Sequence, residues 1–362
     1  MYTNINIENF RGIANLKIDD LREINLFVGK NNCGKTSVIE SLFLLTGPVN
    51  AELPLRINAF RGYNFIEENT WRLLFHNLNI GKYIRITGKQ SKPDEKRVLV
   101  IKPKEKYSSR NQQAHSPLYD YITESGDIFT KSKVFLDGLV LIYNLYKKNS
   151  NEPIKFTTEV YQEGSNIKIT PPPNEYLESL KGIFLNPQTI TEHTITRFSE
   201  IKVLKQTDRI IKILQRMEPS LTELTLGSNR VLYCDIGLDR LIPINMLGDG
   251  LFRLLSVIVG ISNAQNGVIL IDEIDNGFHY TSQEILWDAV FETAKEFNVQ
   301  VFATTHSMEC VKSFSSSYSK SKKGKKDKIR LYRIECTDDK FHAIKYGSKD
   351  LLSSIGHDLE VR

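Results

Sequence analysis

Residues 29 to 37 read Gly29-Lys30-Asn31-Asn32-Cys33-Gly34-Lys35-Thr36-Ser37, which fits the pattern G-x-x-x-x-G-K-[ST]. The flanks give the pattern its weight. Ile24 to Val28 is a short apolar run that reads as a strand, and Ser37 to Leu45 carries a helical pattern. A strand, a glycine loop and a helix in that order make a phosphate cradle: glycines let backbone N–H groups curl around an anion, and the helix that follows offers its positive end. Gly29, Asn31, Asn32, Gly34, Lys35, Thr36 and Ser37 are therefore the expected nucleotide-binding residues. Lys35 is expected to reach the terminal phosphates and the Thr36 hydroxyl to ligate Mg²⁺. Cys33 lies inside this loop, so its alkylation is expected to block nucleotide entry.

Composition bounds the remainder. A chain of 362 residues, 40% hydrophobic and 25% charged, can bury a large core in about two domains or in one with a big insertion. The net charge of +5 permits contact with nucleic acid without arguing for it. Four cysteines without C-x-x-C spacing argue against a zinc site and for a reducing interior. The start of the chain lacks a basic n-region and an apolar h-region, and no apolar run approaches a membrane span. The expected location is cytoplasmic, with no membrane contact.

Four segments follow from the pattern. Residues 1–50 alternate as strands do and run into the phosphate loop; the Phe10-Arg11-Gly12-Ile13 turn leaves Arg11 either a surface charge or a cation near nucleotide or nucleic acid. Residues 51–185 read as a β-rich insertion lobe closed by Pro171-Pro172-Pro173. Residues 186–225 form a short helical element, with Leu204, Thr207, Ile211, Leu214 and Met217 at helical spacing. Residues 226–362 return to strand–helix alternation.

That last segment holds the second half of the chemistry. Gly267 to Glu273 is a β-branched apolar run ending in two carboxylates. Asp272 is placed to support Mg²⁺, and Glu273 to orient and deprotonate the attacking water. The next strand, Val299 to Thr305, ends at His306, which can hydrogen-bond a terminal phosphate. Glu284 to Phe297 between them is an amphipathic crossover helix, giving a βαβ unit. Upstream, Gly248-Asp249-Gly250 precedes a helix over Phe252 to Ile261, a second potential anion cradle. Ser313 to Arg330 is rich in lysine and serine and reads as a solvated loop or as a phosphate-contacting segment.

FRGI, FVGKNNCGKTS, MLGDGLFRLL, VILIDEIDNGFHY and FATTHS, in that order, resemble the ATP-binding-cassette head of SMC and RecF-like proteins and, closest, the ATPase domain of the overcoming-lysogenisation-defect (OLD) family. The resemblance implies an α/β P-loop ATPase head with a β-rich insertion and a short helical element. It also implies ATP and Mg²⁺ as cofactors and a self-dimer in which Gly248, Asp249 and Gly250 of one copy cap the nucleotide on the Lys35 loop of the other. The chain departs from the pattern where Gly248 stands for the usual signature serine, which implies slow turnover, and the Mg²⁺-sensing glutamine has no clear counterpart. The SMC coiled-coil arm and the OLD Toprim nuclease domain have no matching segment, so a nuclease or toxin-like effector is expected on a separate protein, as in the phage anti-restriction-induced and Septu defence systems. Two alternatives stay open: a DNA-binding repair mediator similar to RecF, and an ATP-dependent scaffold with little turnover.

Overall fold

The computed structural model describes residues 1–63, 68–107, 134–148, 150, 152–187, 190–321, 327–338 and 340–356. Strands β1 (Tyr2–Phe10) and β2 (Ile13–Asp19) precede β3 (Ile24–Val28), whose five residues are all buried and which feeds the glycine loop and helix α1 (Lys35–Thr46). Helices α2 (Glu52–Ala59) and α3 (Glu68–Arg72) follow. A run of strands comes next: β4 (Ile84–Ser91), β5 (Asp94–Tyr107), β6 (Val134–Lys147), β7 (Ile154–Glu163), β8 (Asn166–Thr170) and β9 (Gly182–Leu185). Helices α4 (Ile190–Val203) and α5 (Thr207–Leu214) and the short strands β10 (Glu223–Leu226), β11 (Leu232–Asp235) and β12 (Ile242–Pro243) lead to α6 (Asp249–Asn263). The chain then alternates through β13 (Val268–Ile271), α7 (Gln283–Glu296), β14 (Gln300–Thr304) and α8 (Met308–Ser321). It finishes with the hairpin β15 (Ile329–Thr337) and β16 (Lys340–Tyr346) and helix α9 (Ser348–Gly356).

A six-stranded sheet in the order β16-β15-β3-β14-β13-β9 forms the centre. Its strands β15, β3, β14, β13 and β9 run parallel. Val268–Ile271 and Gln300–Thr304 are buried on both faces, as the unbroken apolar runs require of strands covered by helices above and below. The register pairs Ile271 with Ala303, and Ala303 with Leu26. It thereby delivers the ends of β3, β13 and β14, each of which carries expected site residues, to one edge of the sheet, where parallel α/β sheets bind ligands.

The strands expected to form an insertion lobe of their own are laid instead against the first two. The second sheet has the order β2-β1-β4-β5-β6-β7-β8, wholly antiparallel, with Ile7 facing Ile86 and Ile5 facing Gly88. Its inner face (Ile5, Ile7, Ile86, Leu99, Ile101, Leu141) packs with Val38, Leu42 and Leu45 of α1 in one core. Strand β1 is paired on both edges, by β2 and, across more than seventy residues of chain, by β4. Strand β9, inside the expected 51–185 segment, belongs to the central sheet beside β13.

The helical layer revises two further expectations. The chain breaks between α4 and α5 at Lys205 (φ 57°), so Leu204 is left exposed, and Ile210, Ile213 and Leu214 turn inward. The basic, serine-rich stretch is helix α8 as far as Ser321, where Phe314 and Ser317 are buried and Lys320 pairs with Glu284. Residues 322–326 lie outside the described residues. Arg330 is buried in β15 and pairs with Asp20 at 2.7 Å and with Asp327. Among the described residues no helix is long and apolar enough to cross a membrane.

The two sheets meet across α1, and Gly182 of β9 lies close against that helix: a Cβ there would collide with the Thr46 side chain. Gly182→Ala should cost about 1–3 kcal/mol through overpacking, read as a lower midpoint in urea; an unchanged midpoint would show that α1 can shift freely against β9.

Candidate active site

The loop Gly29 to Gly34 is bent by left-handed backbone at Gly29 (φ 141°), Asn32 (φ 63°) and Gly34 (φ 91°), and Gly34 caps α1. Glycine occupies the two bends at which a side chain would meet its neighbours: a Cβ at Gly29 would lie 2.8 Å from Cys33 Sγ, and one at Gly34 would lie 3.1 Å from the Phe341 ring. Lys35 Nζ donates to the carbonyls of Gly29 and Lys30, each at 2.8 Å, which holds the ammonium over the loop it closes.

Three strand ends converge on this loop. Thr36 Oγ1 donates to both oxygens of Asp272 at 3.1 Å, and Thr304 Oγ1 donates to Asp272 Oδ1 at 2.6 Å. The same Thr304 hydroxyl accepts the backbone N–H of Glu273 at 2.9 Å, which fixes Glu273 in a left-handed conformation (φ 48°). Asn276 Nδ2 reaches Glu273 Oε2 at 3.5 Å. Burial pushes the Asp272 carboxyl above the usual carboxylate range; the Thr304 and Thr36 hydrogen bonds pull it back, and the charges of Glu273 and Glu40 raise it further. A hydroxyl beside a half-desolvated carboxylate, under negative potential, is a donor set that suits a hard divalent cation with few protein ligands. Thr36 and Asp272 would hold Mg²⁺ here, and the ion would supply charge neutralisation for phosphoryl oxygens.

These groups line a cleft of about 540 Å³ with Asn31, Asn32, Gly34, Lys35, Ser37 and His306. His306 is exposed at the end of β14, on the same cleft as Glu273. The fold brings these expected residues onto one cleft, together with two that the sequence pattern did not single out. Thr304 looks like any β-branched strand residue, and only pairing of β14 with β13 sets it beside Asp272. Arg61 also lines the cleft. It pairs with Glu40 at 2.8 Å, and Glu40 is held from its other side by Arg11 at 2.6 Å. Burial pulls the Arg61 guanidinium down, but its bonds to Glu40 leave it above its ordinary value; burial leaves Arg11 below its own despite Glu40. Arg11 is thus buried, a member of the cleft wall held by carbonyls of Ile57 and Leu73 as well as by Glu40. The alternative of a surface charge at the turn does not hold.

Two expected features sit elsewhere. Cys33 points inward, buried, with its thiol pushed up by desolvation, so alkylation there requires the loop to open first. Gly248, Asp249 and Gly250 start α6 three residues earlier than the helical pattern alone suggested, and they do not line the Lys35 cleft of the same chain.

A glycine-loop lysine, a threonine and a strand-end Asp-Glu pair on one cleft define a P-loop ATPase with a mixed α/β head. Comparison with known proteins agrees. The model of the family described as "AAA domain, putative AbiEii toxin, Type IV TA system" matches residues 24–311, and the chain belongs to that family. It is 25% identical over 343 residues to an "ATP/GTP phosphatase" of Helicobacter pylori, covering 86% of each chain. A stretch of 44 residues is 43% identical to the DNA replication and repair protein RecF of Francisella tularensis, 13% of that protein's length. Among solved structures, an SMC head bound to the C-terminal winged-helix domain of ScpA overlaps 96% of this chain and 97% of its own, with 11% identity and a TM-score of 0.48. The chain is an ATPase.

Because Asp272 is raised by burial, its ionisation weighs on the ligand-free fold. Stability from this group is fully present below about pH 3.8 and is lost as pH rises through the higher folded value. Asp272→Asn should therefore raise the melting temperature of the nucleotide-free protein at neutral pH while lowering turnover by about two orders of magnitude. A melting temperature that falls instead would mean that the carboxylate is needed to hold Thr36 and Thr304 in place.

Proposed function

We propose that the chain is the ATP-hydrolysing subunit of an OLD-like prokaryotic antiphage complex that gates a separate effector, a nuclease or a toxin-like protein. Lys35 and the loop residues Gly29, Asn31, Asn32, Gly34 and Ser37 bind the phosphates. Thr36 and Asp272 position Mg²⁺, Glu273 takes the proton of the attacking water, and His306 donates to the γ-phosphate. The observation that carries the reading is the placement of the two glycine-rich helix starts. One cleft holds Lys35, Asp272, Glu273 and His306, whereas the Gly248–Gly250 start of α6 opens elsewhere on the same chain. A second copy supplies that segment across the nucleotide, so ATP is the glue of a dimer and hydrolysis is its release.

The defence role is supported by the family's description as a putative toxin of a toxin–antitoxin system. Gly248 lacks the hydroxyl of the usual signature serine, which supports slow turnover suited to a timed gate.

Glu273→Gln should keep ATP binding, abolish turnover and accumulate a dimer in ATP and Mg²⁺, seen as a doubled mass by light scattering. A monomer at saturating ATP would overturn the shared-site reading. Mild purification from the native host with mass spectrometry tests the role: a stoichiometric nuclease or toxin-like protein is expected, and a recombinase or replication clamp would move the chain to repair.

A further inference from the structure

We propose that the outward face of the seven-stranded sheet is a docking surface for duplex DNA, held through its phosphates. The inner face of this sheet lies on the core, and alternate residues of β4, β5, β6 and β7 point the other way. Those outward positions carry Lys89 on β4, Lys96 and Lys102 on β5, and Lys155 on β7. Among the described residues none of these four has a carboxylate in ion-pair reach. The nearby acids are engaged elsewhere: Asp94 with Lys148, Glu159 with Lys104, Glu163 with Lys168. Arg85 adds a further exposed cation, opposite Glu8 in the ladder and without closing to an ion pair.

Lys89 and Lys96 are direct cross-strand partners. Like charges at this position repel and cost the sheet stability, an arrangement that a bound polyanion would reverse. The register also sets distances. Lys155 pairs with Asn144, which pairs with Val98, two residues along β5 from Lys96. Lys155 therefore lies roughly 12 Å from Lys96 across two strand spacings, and Lys102 roughly 20 Å along the same strand from Lys96. Cations about 12 Å apart straddle a B-form major groove, which is ~12 Å wide; the A-form groove of RNA is narrow and deep.

The aromatic residues argue for a duplex over a single strand. Lys96 covers the Tyr146 ring at 5.6 Å and Lys102 covers Tyr83 at 4.5 Å, so these rings are occupied as cation–π seats and are not open for unpaired bases to stack on. On one flank the hairpin β15–β16 stands beside the sheet and encloses a polar cleft of about 970 Å³, with Asn4, Asn6, Asn15, Thr87 and the Lys17–Asp19 ion pair on the sheet side and Glu335 and His342 on the hairpin side. The surface is therefore a trough with a wall; its amides and the Thr87 hydroxyl can contact a groove, and the Asp19 carboxylate is already paired with Lys17.

The test uses the full chain and a labelled short DNA duplex, with anisotropy recorded across a salt series, against the triple variant Lys89→Gln, Lys96→Gln, Lys155→Gln. Wild type should bind, and the variant's log–log salt slope should shrink by ~0.9 for each lysine that meets a phosphate, with affinity at low salt down at least about tenfold. Turnover of the variant should match wild type, since none of the three residues touches the ATP cleft, and its melting temperature should not fall, since the Lys89–Lys96 repulsion is relieved. No binding by wild type, or an unchanged slope in the variant, overturns the proposal. So does binding that is lost only when Lys322, Lys323, Lys325 and Lys326 are neutralised. Equal affinity for an RNA duplex or for single strands would also overturn the assignment to B-form DNA. These outcomes are independent of whether Glu273→Gln dimerises.

Discussion

One carboxylate ties the molecule together. Asp272 receives the hydroxyls of Thr36 and Thr304 while Thr304 accepts the N–H of Glu273, so two strand ends and the first turn of α1, distant in sequence, share a single hydrogen-bonded node. A buried carboxylate without such donors would be costly, and its two threonine contacts are what make it tolerable at the carboxyl edge of the sheet. The node sets the reacting groups by geometry: the loop lysine on one side, the left-handed Glu273 on the other, His306 beyond it. Phosphoryl transfer needs positioning and charge more than covalent chemistry, and this arrangement supplies both.

A second buried ionic group anchors the same cleft from behind. Glu40, in the second turn of α1, is 1% exposed and sits between Arg11 and Arg61. Removing one partner from so buried a pair leaves an uncompensated charge, at a cost of about 3–5 kcal/mol. The triad therefore fixes the β1–β2 turn, helix α1 and the end of α2 relative to one another. Arg61, with one face on Glu40 and the other on the cleft, carries a positive charge to the nucleotide side without needing a mobile side chain.

The antiparallel sheet gives the ATPase head its second role. It is not an appendage: β1 is flanked by β2 and β4, and its inner face closes the core over α1. The outer face is then free to carry charge that the fold does not need, and the unpaired lysines on β4, β5 and β7 lie there. Catalysis is thus mounted at the carboxyl edge of the central sheet and surface recognition on the outer face of the antiparallel one, with α1 packed between the two sheets.

The sequence alone determined the P-loop ATPase class and pointed to the candidate residues of its site. Gly29 to Ser37, Asp272, Glu273 and His306 were legible because phosphate binding demands particular residue types at fixed spacing, and because strand-ending motifs depend only on local pattern. The α/β class was legible for the same reason, from apolar runs alternating with helical periods. Tertiary structure alone decided what spacing cannot encode. Thr304 and Arg61 carry no local signal, and they join the site only through pairing of β14 with β13 and through the Glu40 clamp. The partner of β1 lies in β4, and strand pairing at such separation is chosen by the burial of two apolar faces together, a property of neither segment alone. Arg11 shows the difference most plainly: its turn was readable from FRGI, but whether it faced water or Glu40 was settled only when α1 packed beneath it.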